Sequence, residues 1–249
     1  MTSSTQNNSK REDLQGLRGL AIMAVLAFHF YPNQFPNGYL GVDQFFVLSG
    51  FLMCMLLKKS QELPIFSFFT QFYIRRFKRI LPLYFQFILC TVIALYTIFP
   101  TAAILQNKMS AGKALIFLSN RSPTANEDYF KKLFIALDLF THTWSLSVEV
   151  QFYLLVPFIF LIGRLFRNSY REIYYAAIAI LSFGYHFYSP TSVAFNSVIA
   201  RIWQFSIGMI SYFIVDNRKD NTILYEPETI MISFSFFFQR SSFSDMATH

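Results

Sequence analysis

Apolar residues in this chain run in long stretches broken by short polar or basic segments. A transmembrane helix needs about 20 mostly apolar residues, and six stretches approach that length: 14–31, 39–57, 80–99, 145–163, 173–189 and 198–215. They predict an all-α fold, a polytopic transmembrane helix bundle. A shorter amphipathic stretch, 66–78, is expected to lie along the membrane interface. The stretch 111–118 is too short to span and is expected to be re-entrant or a surface helix, and 229–238 is apolar but also too short. The expected division is a cytoplasmic tail (1–13), a membrane domain (14–215) and a C-terminal tail (216–249).

Composition agrees with this pattern. Of 249 residues, 54% are hydrophobic and 14% charged, against about 25% charged in a soluble domain. The 32 Phe and 14 Tyr suit a lipid-facing exterior with rings at the interfaces. A net charge of +7 does not point to nucleic acid, because the basic residues cluster between apolar runs, as orientation signals do. With the N-terminus cytoplasmic, Lys10 and Arg11, Lys58 to Arg79, Arg164 to Arg171, and Arg218 and Lys219 all fall inside. The segments 32–38, 100–144 and 190–197 then fall outside, and Asn120-Arg121-Ser122 is a glycosylation sequon in that outer loop. Cys54 and Cys90 lie in apolar runs and read as buried thiols. The first apolar run contains Arg18 and lacks a small-residue cleavage site, so no cleavable signal peptide is expected.

Several ionisable residues interrupt the spans: Arg18, His29, Asp43, Glu149 and Arg201. Each costs about 3 kcal/mol at mid-membrane unless it pairs, snorkels or faces water. Arg18 and His29 are 11 positions apart, which puts both on one helix face about 16 Å apart along the axis. A guanidinium at one end and an imidazole at the other would suit a long anionic ligand such as an acyl-CoA. A hydrogen-bonded structural histidine is the plainer reading. Arg75, Arg76, Lys78 and Arg79 form a cationic cluster that reads either as a headgroup anchor or as a phosphate site. Glu149 and Tyr153 share a helix face, and Ser49 and Gly50 would permit close helix packing. There is no phosphate loop, dinucleotide glycine fingerprint or nucleophile elbow, and the four histidines show no metal-ligand spacing.

Four segments resemble the membrane-bound acyltransferase family three. Leu17-Arg18-Gly19-Leu20-Ala21-Ile22 followed by His29 resembles its first-helix motif. Gly41-Val42-Asp43-Gln44-Phe45-Phe46-Val47-Leu48-Ser49-Gly50-Phe51 resembles its second. Phe72-Tyr73-Ile74-Arg75-Arg76-Phe77-Lys78-Arg79-Ile80-Leu81-Pro82 resembles its cytoplasmic arginine motif, and Trp144-Ser145-Leu146-Ser147-Val148-Glu149 with Gln151-Phe152-Tyr153 its tryptophan–glutamate motif.

The resemblance implies a multipass O-acyltransferase that uses acyl-CoA, commonly acetyl-CoA, and acylates a hydroxyl of a carbohydrate or lipid acceptor. It implies His29 as catalytic base or transient acyl carrier, with Asp43 and Glu149 shaping the site. Arg18, Arg76 and Arg79 would hold the CoA end. Val150 and Gln204 stand where the family often has acidic residues. The family has about ten helices, so six spans predict a C-terminally shortened form. Two other readings remain open here: a catalytically inactive paralogue that binds or regulates a partner, and a transporter or proton relay lined by Arg18, His29 and Glu149.

Overall fold

The computed structural model describes residues 12–121 and 138–219, and every regular element among them is helical. The helices are α1 (Glu12–Phe30), α2 (Leu40–Lys59), α3 (Ile65–Thr97), α4 (Thr101–Leu115), α5 (Trp144–Arg164), α6 (Asn168–Tyr188), α7 (Thr191–Asn196) and α8 (Val198–Lys219). A 3₁₀ turn, Thr141–Thr143, leads into α5. The apolar stretch 229–238 lies outside the described residues.

Of the six stretches read as spans, four sit in helices long and apolar enough to cross a membrane: α2, α3, α5 with its leading turn, and α8. The apolar part of α1, Leu14–Phe30, is shorter. The remaining stretch, 173–189, lies in α6, a 21-residue helix that begins before it and carries Arg171 and Glu172 near its start.

One expectation is corrected by α3. No break separates the amphipathic stretch 66–78 from the span that follows. Both belong to the 33-residue α3, with Pro82 inside it. At 1.5 Å per residue this rod is about 50 Å long, well over a ~30 Å hydrocarbon core, so it is longer than an upright span needs. The stretch 111–118, expected to be re-entrant or a surface helix, runs from the end of α4 into the turn after it, and α4 packs back along α3. Cys90, expected to be buried, is exposed on α3, whereas Cys54 is buried.

The centre of the bundle is α2, flanked by α1 on one side and α8 on the other, with α6 outside α8. Glycine sets these distances. A Cβ on Gly50 would lie 2.0 Å from the Phe205 carbonyl oxygen, and one on Gly208 would lie 2.0 Å from that of Val47. A Cβ on Gly41 would meet the Ala21 carbonyl oxygen at 2.4 Å. Backbones this close leave no room for any side chain. Around the seam, Phe205 stacks on Phe152 with ring centroids 3.9 Å apart and leans on Phe46 at 4.9 Å.

Below this aromatic layer, one end of the bundle is basic. Lys58 pairs with Asp216 at 3.9 Å, and the Arg171 guanidinium lies 4.1 Å from the Phe213 ring centre. The opposite end carries His29, Asp43, Trp144, His186 and Arg201, which lie at the matching ends of α1, α2, α5, α6 and α8.

Candidate active site

The residues singled out in the sequence fall into three groups. The first surrounds Glu149. From the second turn of α5 its Oε1 accepts hydrogen bonds from the Ser49 hydroxyl on α2 and the Tyr153 hydroxyl one turn on. Ser49 is therefore not a packing residue; Gly50 beside it makes the close contact. Arg18 lies within electrostatic reach of Glu149, Tyr153 and Arg79, and Arg76 within reach of all four. Two guanidiniums, from α1 and α3, thus stand near one carboxylate beside the middle of α2, with Arg79 near both of them.

The arginine motif is split by its helix. Arg75, Lys78 and Arg79 are exposed, whereas Arg76 is buried and donates from Nη2 to the Leu52 carbonyl at 2.9 Å. Its Nε is buried with no hydrogen-bond partner among the described residues. A headgroup anchor needs exposed side chains, so Arg76 belongs to the interior of the site.

The second group holds Asp43, which lies away from Glu149. Its carboxylate accepts from Nη1 of Arg201 at 2.9 Å, joining α2 to α8. Arg201 is buried, donates from Nε to the Phe195 carbonyl at 3.2 Å, and packs over the Phe195 and Trp144 rings. The snorkelling considered for Arg201 is replaced by this pair.

The third group is His29. Because α1 is continuous from 12 to 30, Arg18 and His29 do share a face about 16 Å apart. His29 Nδ1 lies 2.7 Å from the Val25 carbonyl oxygen. That oxygen can only accept, so Nδ1 carries the proton and Nε2 keeps its lone pair in the neutral ring. The ring meets His142 of the 3₁₀ turn edge-to-face, centroids 5.1 Å apart. Sequence reasoning recorded His142 only as one of four unspaced histidines, and its place beside the Trp144 motif was the available signal.

A polar clasp ties the segment after α4 to α5 and to the end of α7. Gln151 donates from Nε2 to the Phe117 carbonyl and to Asn120, and Asn120 donates to Gln151 and to the Asn196 carbonyl. Asn120 is buried, so the sequon's acceptor nitrogen is engaged in the fold rather than presented for glycosylation. Phe117, at the end of α4, has φ 55°, a left-handed conformation costing about 1–2 kcal/mol. Its ring stacks on Tyr84 at 4.9 Å while its carbonyl takes the Gln151 bond.

An all-helical multipass membrane protein with polar groups at both ends of an apolar bundle is the class these features define. The sequence profile described as "Acyltransferase domain" matches residues 11–247, and the chain belongs to that family. Among curated relatives, the O-acetyltransferase OatA of Staphylococcus aureus is 36% identical over 158 residues, 61% of this chain and 25% of OatA. The putative membrane-bound transacylase BcsY of Komagataeibacter xylinus is 33% identical over 215 residues, 83% of this chain and 52% of BcsY. The peptidoglycan O-acetyltransferase OatA of Listeria monocytogenes is 36% identical over 150 residues, 58% of this chain and 23% of that protein. The chain therefore spans about a quarter to a half of the length of these relatives. No solved structure matches.

Proposed function

We propose that this chain transfers an acyl group, acetyl foremost, from an acyl-CoA to a hydroxyl of a carbohydrate or lipid acceptor. One observation carries the reading. Arg18 and Arg76 both lie within electrostatic reach of a single carboxylate, Glu149, and Arg79 within reach of both arginines, so the group keeps a net positive charge. Guanidinium forks match phosphate oxygens, and Arg76 Nε has a donor to spare. The CoA phosphates dock there, and the long pantetheine arm runs along the shared face of α1 to His29.

At His29 the free Nε2 takes the proton of the acceptor hydroxyl as its oxygen attacks the thioester carbonyl. Glu149, held by Ser49 and Tyr153, is the counter-charge that lets the arginines gather, and Asp43 fixes Arg201 at the far end. The relatives named O-acetyltransferases support a sugar hydroxyl as acceptor. The basic end formed by Lys58 and Arg171 supports a cytoplasmic N-terminus and donor.

The test is turnover of labelled acetyl-CoA by the detergent-purified chain against His29→Ala, with a mixed glycan and lipid acceptor pool. A general base contributes about 10²–10⁴-fold, and a loss on that scale is expected. Equal turnover in both proteins would remove His29 from the chemistry.

A further inference from the structure

Two imidazoles meet at the outer end of the bundle, and the acyl-transfer reading uses one of them. His29 ends α1 and His142 sits in the 3₁₀ turn that opens α5. The turn is braced from several directions. The Thr143 hydroxyl bonds the Phe140 carbonyl at 2.7 Å and Ser119 at 2.8 Å, and Ser147 donates to the Thr143 carbonyl at 3.0 Å. The Asp138 carboxylate accepts from the Phe140 amide at 2.9 Å. Thr143 is buried, yet His142 next to it is exposed and set against the His29 ring. A turn this heavily tied, holding one polar ring out beside another, is a presentation device.

Both elements also connect this pair to the arginine group. Along α1 the path runs from Arg18 to His29, and along α5 from Glu149 back to His142. A ligand with its phosphates at the arginines and its thioester at His29 therefore has His142 beside the same reacting carbon.

We propose that His142 is a second catalytic residue, the general acid that protonates the departing CoA sulfur. The assignment rests on the acyl-transfer reading above. As the acceptor oxygen forms its bond to the carbonyl carbon, its proton passes to Nε2 of His29. The carbon–sulfur bond breaks, the electron pair stays on sulfur, and the His142 imidazolium supplies the proton that makes the free thiol. One proton transfer between the adjacent rings then returns both histidines to their starting states. With one ring taking the proton and the other giving it, neither must turn between acceptor and donor.

The experiment measures acetyl-CoA turnover by the purified full chain, His29→Gln, His142→Gln and His142→Gly, with folding checked by thermal melts. For His142→Gln a kcat loss of about 10²–10⁴-fold is expected, with KM for acetyl-CoA within twofold of the parent. Added imidazole is expected to raise His142→Gly turnover at least tenfold and to leave His142→Gln unchanged. A merely structural residue would show no such rescue. The assignment is overturned if His142→Gln keeps turnover within threefold, if its KM rises in step with the loss, or if folded His142→Gly ignores imidazole. Should the glycine variant fail to fold, the kcat and KM split in the glutamine variant decides. A folded parent chain with no turnover overturns instead the transfer reading, and the general acid with it.

Discussion

The cost of a polar group inside an apolar bundle is governed by its partners, and two residues here, one charged and one neutral, show opposite cases. Arg201 is buried and paired with Asp43. Removing one member of such a pair leaves the other unpaired, at about 3–5 kcal/mol. Asp43→Ala is therefore expected to lower stability in detergent by about 3 kcal/mol, and Arg201→Met added to it should recover part of the loss. Additive losses in that double-mutant cycle, read by chemical unfolding, would mean that the ion pair is not what couples the two positions. Gln204, one turn along α8, is buried with neither Oε1 nor Nε2 hydrogen-bonded among the described residues. An unmet buried amide costs about 1–3 kcal/mol, so Gln204→Leu is expected to raise the melting temperature. A lower one would show that the amide does find a partner.

Among the elements, the glycine seats decide how closely α2 can approach its neighbours. Overpacking a core costs about 1–3 kcal/mol and more where backbones must part. Gly50→Ala and Gly208→Ala are each expected to reduce the yield of monodisperse protein sharply on size-exclusion chromatography. Gly112 in α4 has nothing within 4 Å of its would-be Cβ, so Gly112→Ala should be neutral or stabilise by about 0.5–1 kcal/mol. Equal effects at all three sites would refute the seam as the controlling contact. The helices themselves were legible in the sequence because apolar length is a one-dimensional property. The continuity of α3 was not, since the basic turn at Arg75–Arg79 looks like a helix end until Arg76 is seen turned inward to Leu52. Ser49 was misread for a similar reason, because its partner Glu149 is 100 residues distant. His142 was missed because no spacing rule links it to His29; only the fold brings the two rings together.

Across the whole molecule, polarity is sorted to two ends. Lys58, Arg171 and Asp216 lie together at one, near Cys54, and His29, Asp43, His142 and Arg201 lie at the other. Single cysteines at Lys59 and at Asn37, in a background lacking Cys54 and Cys90, are expected to react with an impermeant thiol reagent from opposite faces of oriented vesicles. Lys59 should be reached from the cytoplasmic face. Labelling of both from the same face would contradict the orientation and the route assigned to the donor.

The Asp43–Arg201 pair also has a history in time. Its halves are 158 residues apart in the chain, and at about 5–20 residues per second the ribosome needs on the order of 10–30 s to make the second after the first. During that interval α2 is already emerging with an acid that has no base. The helix must wait at the headgroup level or beside the translocon until α8 arrives. The last described helix is thus what allows the second one to settle, and a nascent chain halted before Arg201 would be held in an unfinished, protease-accessible state.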